Sequence, residues 1–146
     1  MLSASKNDDK ITWYENNGSE SFTAHDITTS ADDVNGIYAI DMDGDGDMDV
    51  LSASASDDKI AWYENDGASN FTERVITTNA NYAQSVYAAD VDGDGDMDVL
   101  SASSSDLTTM GKNIKWYEND GASNFTPYFI FSDGDYVESI YVADVD

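Results

Sequence analysis

"LSASKNDDKITWYENNGSESFTAHDITT", residues 2–29, aligns without a gap to "LSASASDDKIAWYENDGASNFTERVITT", residues 51–78, at an offset of 49 positions. A third copy begins as "LSASSSD" at Leu100 and, after an insertion, resumes as "IKWYENDGASNFT" at Ile114. Self-similarity at a fixed period of this length indicates a repeat architecture. The sequence therefore predicts a single repeat domain. It spans residues 1–146, with units at about 2–50, 51–99 and 100–146.

Within each unit the apolar residues recur with period two, which is typical of β-strands. The second unit contains four such runs, which read "MDVLSASAS", "KIAWYEN", "FTERVITT" and, ahead of the next acidic stretch, "VYAADVD". The link "NDGASN" carries the Asp-Gly signal of a tight hairpin. The chain has one proline and no amphipathic stretch of helical period. We therefore expect an all-β protein with four antiparallel strands per repeat.

Four short strands in each unit of this length are typical of a β-propeller blade, and a stacked β-solenoid is the competing architecture. Small residues such as those of "SASAS" suit a crowded strand of a wedge-shaped sheet. Trp13, Trp62 and Trp116 occupy equivalent positions, which favours packing between blades over a sugar-binding groove. The adjacent tyrosines point to the opposite face and are the candidate ligand surface, unless they are only partly exposed aromatics of a sheet. They are Tyr14, Tyr63 and Tyr117.

Two acidic stretches, "DMDGDGDMDV" at 41–50 and "DVDGDGDMDV" at 90–99, have the spacing of a metal-binding loop. Glycines at loop positions four and six allow the positive φ angles that fold a short segment around one point. Hard oxygen donors in this number suit Ca²⁺ better than Mg²⁺ or zinc. The predicted ligands are Asp41, Asp43, Asp45 and Asp49 in the first loop and Asp90, Asp92, Asp94 and Asp98 in the second, with Asp47 and Asp96 contributing backbone carbonyls.

Two other interpretations of these loops are less consistent with the sequence. A solvated acidic turn would not need the same spacing twice, in register with the repeat. An EF-hand requires a bidentate glutamate at position 12 and flanking helices. This chain has Ser52 and Ser101 at that position, and its flanking segments have the pattern of strands.

The motif DxDGDGxxD between two strands, in repeats of this size, resembles the FG-GAP/VCBS repeats of integrin-α-type β-propellers. The resemblance extends over the whole chain, although the literal "FG…GAP" element is missing, so that the VCBS type is the closer likeness. It implies Ca²⁺ in the hairpin between the first and second strands of a blade. It also implies a secreted or cell-surface protein that serves in adhesion, in carbohydrate binding or as an accessory module of an enzyme.

The repeat pattern begins and ends within a blade. Leu2 corresponds to Leu51 in a second strand, and the third acidic loop contributes only Asp144 and Asp146, a candidate partial metal site. Three blades are too few for a ring, since propellers have about four to eight. We therefore expect the C-terminal strand of one molecule to complete the N-terminal blade of another, giving a homodimer with a six-bladed ring. A piece of a longer propeller is the alternative.

Composition narrows the function further. Thirty acidic and six basic residues give a net charge of −24, which disfavours nucleic acid and anionic membranes as partners. There is no cysteine, no apolar run of transmembrane length and no signal sequence. An extracellular or cell-surface location would need a signal upstream. The single histidine, His25, has no recognisable catalytic partners, so we expect a non-enzymatic binding scaffold with a glycan or protein ligand. A lectin using the repeated aromatics is the first alternative, and an accessory fragment of a polysaccharide-active enzyme is the second.

Overall fold

The computed structural model describes residues 1–104, 113–131 and 137–143. Over these ranges the regular elements are eleven β-strands and one 3₁₀ turn at Lys6–Asp8. The prediction of an all-β protein is therefore confirmed. None of the described segments forms a helix long and apolar enough to cross a membrane.

The strands form three antiparallel sheets in which neighbours along the chain are neighbours in space. The first sheet has three strands and the other two have four each. This meander order is the one expected of propeller blades. The first sheet contains β1 (Leu2–Ser5), β2 (Lys10–Asn16) and β3 (Phe22–Thr28). The second contains β4 (Val34–Ile40), β5 (Asp49–Ser54), β6 (Lys59–Asn65) and β7 (Phe71–Thr77). The third contains β8 (Ala83–Ala89), β9 (Asp98–Ser103), β10 (Asn113–Asn119) and β11 (Phe125–Phe131).

The sequence repeat is reproduced as a repeat of strand register. Tyr38 lies opposite Leu51 in the second sheet, and Tyr87 lies opposite Leu100 in the third. The first sheet begins at the counterpart of β5, so it has no counterpart of β4 or β8 among the described strands. Residues 137–143, expected to be a further strand of the β4 type, have no strand pairing in the structure.

The hairpin between β6 and β7 shows how the predicted turns form. Gly67 has a φ of +74°, a conformation that favours glycine. The Asp66 carboxylate accepts hydrogen bonds from the backbone N–H of Ala68 at 2.9 Å and of Asn70 at 3.1 Å. The equivalent hairpin between β10 and β11 has the same pair of bonds to Asp120. Aspartate and glycine therefore fix the turn locally, and the turn fixes the register of the strands.

The core lies between the sheets. Trp62 points from the second sheet towards the third and is only 2 % exposed, in a cluster that includes Val86 and Val99. The next residue along β6, Tyr63, points to the opposite face and packs with Ile11 of the first sheet. Successive residues of a strand point to opposite faces, so the second sheet contributes to two interfaces at once. The expectation that the tryptophan packs between blades is confirmed for Trp62.

Candidate metal centre

Each acidic loop joins the first two strands of a four-stranded sheet. Residues 41–48 connect β4 to β5, and residues 90–97 connect β8 to β9. This is the hairpin in which the family resemblance places calcium. Neither loop adjoins a helix, which excludes the EF-hand arrangement.

Three carboxylates converge in each loop. One oxygen from each of Asp41, Asp43 and Asp49 lies within 4.8 Å of the other two, and Asp90, Asp92 and Asp98 form the equivalent group. Oxygens on a Ca²⁺ coordination sphere lie about 2.3–2.6 Å from the ion, so two of them are at most about 5 Å apart. Both groups therefore fit the size and the donor chemistry of a calcium site.

The loop backbone wraps around its first aspartate. The two oxygens of Asp41 accept hydrogen bonds from the N–H groups of Gly44 at 2.9 Å and Gly46 at 3.1 Å. These glycines have φ angles of +76° and +95°, which few other residues adopt without strain. Asp90 makes the same two bonds in the second loop, at 2.7 and 3.1 Å. The predicted role of the glycines is thus seen in both loops.

Asp49 fastens the loop to the body of the blade. It has no exposed surface, and its two oxygens accept hydrogen bonds from the backbone N–H groups of Met42 at 3.0 Å and Asn65 at 2.7 Å. Asn65 ends β6, and its side chain also donates to the Met48 carbonyl at 3.2 Å. In the third sheet Asp98 and Asn119 repeat this arrangement. The sequence analysis missed the two asparagines, although the repeated "WYEN" places one at the end of each of β2, β6 and β10.

The electrostatics favour a cation at both sites. Desolvation raises the pKa of Asp43 above its ordinary value, and the charges of neighbouring carboxylates, Asp45 among them, add to the rise. The same causes raise the pKa of Asp92. Burial also raises the pKa of Asp49, although the backbone N–H groups that it accepts from oppose the rise. A divalent cation among these groups would offset both the repulsion and the lost hydration.

Four of the predicted ligands are not part of the converging groups. Asp45 accepts a hydrogen bond from the Asp47 N–H at 2.9 Å, and Asp94 accepts one from the Asp96 N–H at 2.9 Å. The side chain of Asp47 lies against Gly67 of the β6–β7 hairpin. That of Asp96 lies in the same way against Gly121. Coordination through the backbone carbonyls of Asp47 and Asp96 stays a prediction.

The remaining predicted site residues have different outcomes. Asp144 and Asp146 lie outside the described residues. Tyr63 and Tyr117 are each only 1 % exposed, so the expectation that they form an accessible ligand surface is wrong. They are buried because another sheet packs on the face to which they point. Tyr14 is partly exposed, and its hydroxyl lies 3.1 Å from the Ser3 hydroxyl.

Repeated four-stranded antiparallel sheets, with an acidic metal-type loop after the first strand, define the class of β-propeller-like repeat proteins. Comparison with known families agrees with this class, since the FG-GAP-like repeat matches residues 1–52 and again residues 41–101. The chain belongs to the FG-GAP-like repeat family. No curated protein matches the chain.

Proposed function

We propose that the chain is a calcium-binding β-propeller module that acts as a structural and binding scaffold of the adhesion type, outside the cell. The observation that carries the proposal is the pair of three-carboxylate groups, each at the same position of its repeat. The family supports the extracellular part of the proposal, since FG-GAP repeats are typical of extracellular proteins. A free calcium concentration in the millimolar range would match the affinity of many extracellular calcium modules, about 10⁻⁴–10⁻³ M.

Calcium is the best candidate because the converging donors are all carboxylate oxygens. The groups contain no nitrogen or sulfur ligand, which zinc and copper prefer. Mg²⁺ prefers a strict octahedron and retains several waters. Glycine-rich loops with two glycines at positive φ, such as Gly44 and Gly46, offer the flexible geometry that the larger ion accepts.

The main effect of the ion would be to make the acidic loop rigid. Asp41 and Asp43 belong to the loop, whereas Asp49 begins β5 and is hydrogen-bonded to the end of β6. A cation shared by these three side chains would therefore connect the loop to two strands of the same blade. Fixed loops at one end of the sheets are what a scaffold needs to present a binding surface, because ordering the loops before binding lowers the entropy lost on binding.

A binding role rather than catalysis is part of this proposal. The aspartates that could serve as paired acids occur in the repeated loops, whereas a hydrolytic site requires one acid and one base in different environments. His25 stacks on Trp13 with ring centroids 4.5 Å apart and contacts Glu15 at 3.2 Å. The proposed ligand is another protein, or a glycan that binds elsewhere than on the repeated tyrosines. The burial of Tyr63 and Tyr117 removes the repeated aromatic surface on which the lectin alternative depended.

Calcium titration by calorimetry, on protein stripped of metal, tests the proposal. We expect two saturable sites from the described loops, and we expect Asp43→Asn and Asp92→Asn each to abolish one. Asp32→Asn is the matched control, because it makes the same charge change at an exposed aspartate outside both groups. Absence of saturable calcium binding, or equal losses in the control, would refute the proposal.

A further inference from the structure

The first interface lies between the first and second sheets, and the second interface lies between the second and third sheets. The tryptophan face of one sheet packs on the tyrosine face of the next: Trp62 of the second sheet shares a cluster with Tyr117 of the third. Both side chains are almost completely buried there, at 2 % and 1 % exposure. Tyr63 is buried in the same way against the first sheet.

The outer faces of the first and third sheets carry the counterparts of the two aromatic residues that meet at the second interface. Tyr14, the counterpart of Tyr63, is partly exposed on the first sheet, and Trp116, the counterpart of Trp62, is partly exposed on the third. Trp116 stacks on Tyr128 at 4.9 Å, and Tyr128 is itself 44 % exposed. Ile130, on the same sheet, is 54 % exposed. A tryptophan face and a tyrosine face are thus both available, and each matches the partner that the internal interfaces show.

The edges of the same two sheets are also complementary. Among the described strands β1 pairs with β2 alone, whereas its counterparts β5 and β9 each have a neighbour on both sides. Residues 137–143 lie against β8 much as β8 lies against β4. Tyr141 contacts Tyr87 at 5.1 Å between ring centroids, and Tyr87 contacts Tyr38 at 4.4 Å. The Ile140 N–H also donates to the Ser85 hydroxyl at 3.3 Å.

A cavity of about 500 Å³ lies at the first interface. It is lined by Trp13, Leu2 and Phe71, among others. At the second interface the counterpart of Trp13 is Trp62, which packs in one cluster with the buried Met42. Met42 belongs to the loop that follows β4.

We propose that a second copy of this chain occupies these surfaces. Residues 137–143 of one copy pair with β1 of the other, and the Trp116 face of the first packs on the Tyr14 face of the second. Two such contacts give a closed pair with six sheets, within the range of about four to eight blades found in propellers. The pairing of β8 with β9 predicts the register of this contact. Ser85 lies opposite Ala102 in the third sheet. Ser139 is the counterpart of Ser85 and Ala4 is the counterpart of Ala102, so Ser139 should lie opposite Ala4.

The mass of the 146-residue chain in solution is the first test, measured by analytical ultracentrifugation in calcium-containing buffer. We expect about 32 kDa, twice the 15.9 kDa of one chain. A stable species of one chain would overturn the proposal, since the surfaces would then belong to some other occupant, such as further repeats of a longer chain. A complex of three chains would also overturn it. The calcium titration described above is independent of this result.

Disulfide trapping tests the contact itself, against a background free of cysteine. Chains carrying Ala4→Cys are mixed with chains carrying Ser139→Cys and then oxidised. Directly opposed residues of an antiparallel pair have Cα atoms about 4.5–5.5 Å apart, a distance that a disulfide spans. We expect a cross-linked species of two chains only when both variants are present.

The control replaces Ala4→Cys with Ser19→Cys, at an exposed position of the β2–β3 hairpin. We expect no cross-linking above background in that mixture. The mass could show a dimer while the Ala4→Cys and Ser139→Cys chains fail to cross-link. The two chains would then associate through another surface, and the proposed contact would be overturned.

Discussion

The buried Asp49 carboxylate accepts a hydrogen bond of 2.7 Å from the backbone N–H of Asn65, sixteen positions further along the chain. This bond connects the acidic loop to the end of the third strand of the same sheet. Asp49 therefore has two roles that can be separated: it anchors the loop whether or not metal is bound, and it is a proposed metal ligand.

Asp49→Ala should destabilise the protein even without calcium. The substitution leaves the N–H groups of Met42 and Asn65 without their acceptor, and each buried polar group left unsatisfied costs about 1–3 kcal/mol. Asp43 is an exposed, proposed ligand, and its pKa in the metal-free protein is already raised. Asp43→Ala should therefore leave the stability of the metal-free protein unchanged or slightly higher. Urea unfolding of stripped protein measures both. Equal unfolding free energies for the two variants would contradict an anchoring role for Asp49.

The sequence predicts those hydrogen bonds of this site that join residues close together in the chain, and it does not predict those that depend on strand pairing. The glycines and the first aspartate of the loop interact within five residues, so the spacing alone predicted their geometry. The bond from Asp49 to Asn65 depends on how β5 pairs with β6, which the loop motif does not contain. Asp45 lies outside the converging group, and its carboxylate accepts a hydrogen bond from the backbone N–H of Asp47, which the spacing of the aspartates did not indicate.

The fate of the aromatic residues shows a second limit. Period two correctly placed Trp62 and Tyr63 on opposite faces of β6. It could not indicate that both faces are covered, because coverage depends on a sheet on each side. The second sheet has two neighbours, so both residues are buried, whereas Tyr14 of the first sheet is partly exposed.

Removal of calcium should lower the melting temperature. If each site is held at a hundredfold excess of ion over its dissociation constant, binding contributes about 2.7 kcal/mol per site. For a chain of this size that corresponds to a fall on the order of 10 °C when both sites are emptied. Scanning calorimetry with and without metal measures the change.

Asp43→Asn and Asp92→Asn should each remove about half of this calcium-dependent shift, and Asp32→Asn should remove none. Mg²⁺ at the same concentration should give a smaller shift than Ca²⁺. A melting temperature that does not respond to metal would contradict a structural role for the ion.

Acidification should narrow the difference between the calcium-bound and metal-free proteins. Desolvation raises the pKa values of Asp43, Asp49 and Asp92, so the metal-free folded state binds more protons than the unfolded chain as the pH falls towards those values. By linkage, the free energy of unfolding of the metal-free protein therefore receives a contribution from these groups that increases on acidification and is lost as the pH rises. Calcium must displace these protons, so its affinity falls over the same interval.

The quantity to measure is the melting temperature of the calcium-bound protein minus that of the metal-free protein, between about pH 7.5 and about pH 5. We expect this difference to become smaller as the pH falls. Exposed groups whose pKa is lowered, such as Asp66 and Asp120, act in the opposite sense in both metal states and cancel in the difference. A difference that stays constant would mean that protons do not compete with the ion.

Gly67→Ala should weaken calcium binding at the first loop, although Gly67 is not a ligand. A methyl group at this position would meet the Asp47 carboxylate, and Asp47 belongs to the loop that we propose to bind the ion. The matched control is Gly18→Ala in the equivalent hairpin of the first sheet, where φ is +77° and no atom lies within 4 Å of the added group.

Both variants adopt the same unfavourable backbone conformation, at a cost of about 1–2 kcal/mol. Only Gly67→Ala displaces Asp47, so calorimetric titration should show weaker binding at one site in that variant and unchanged binding in the control. Equal affinities in the two variants would show that the acidic loop and the neighbouring hairpin are not coupled.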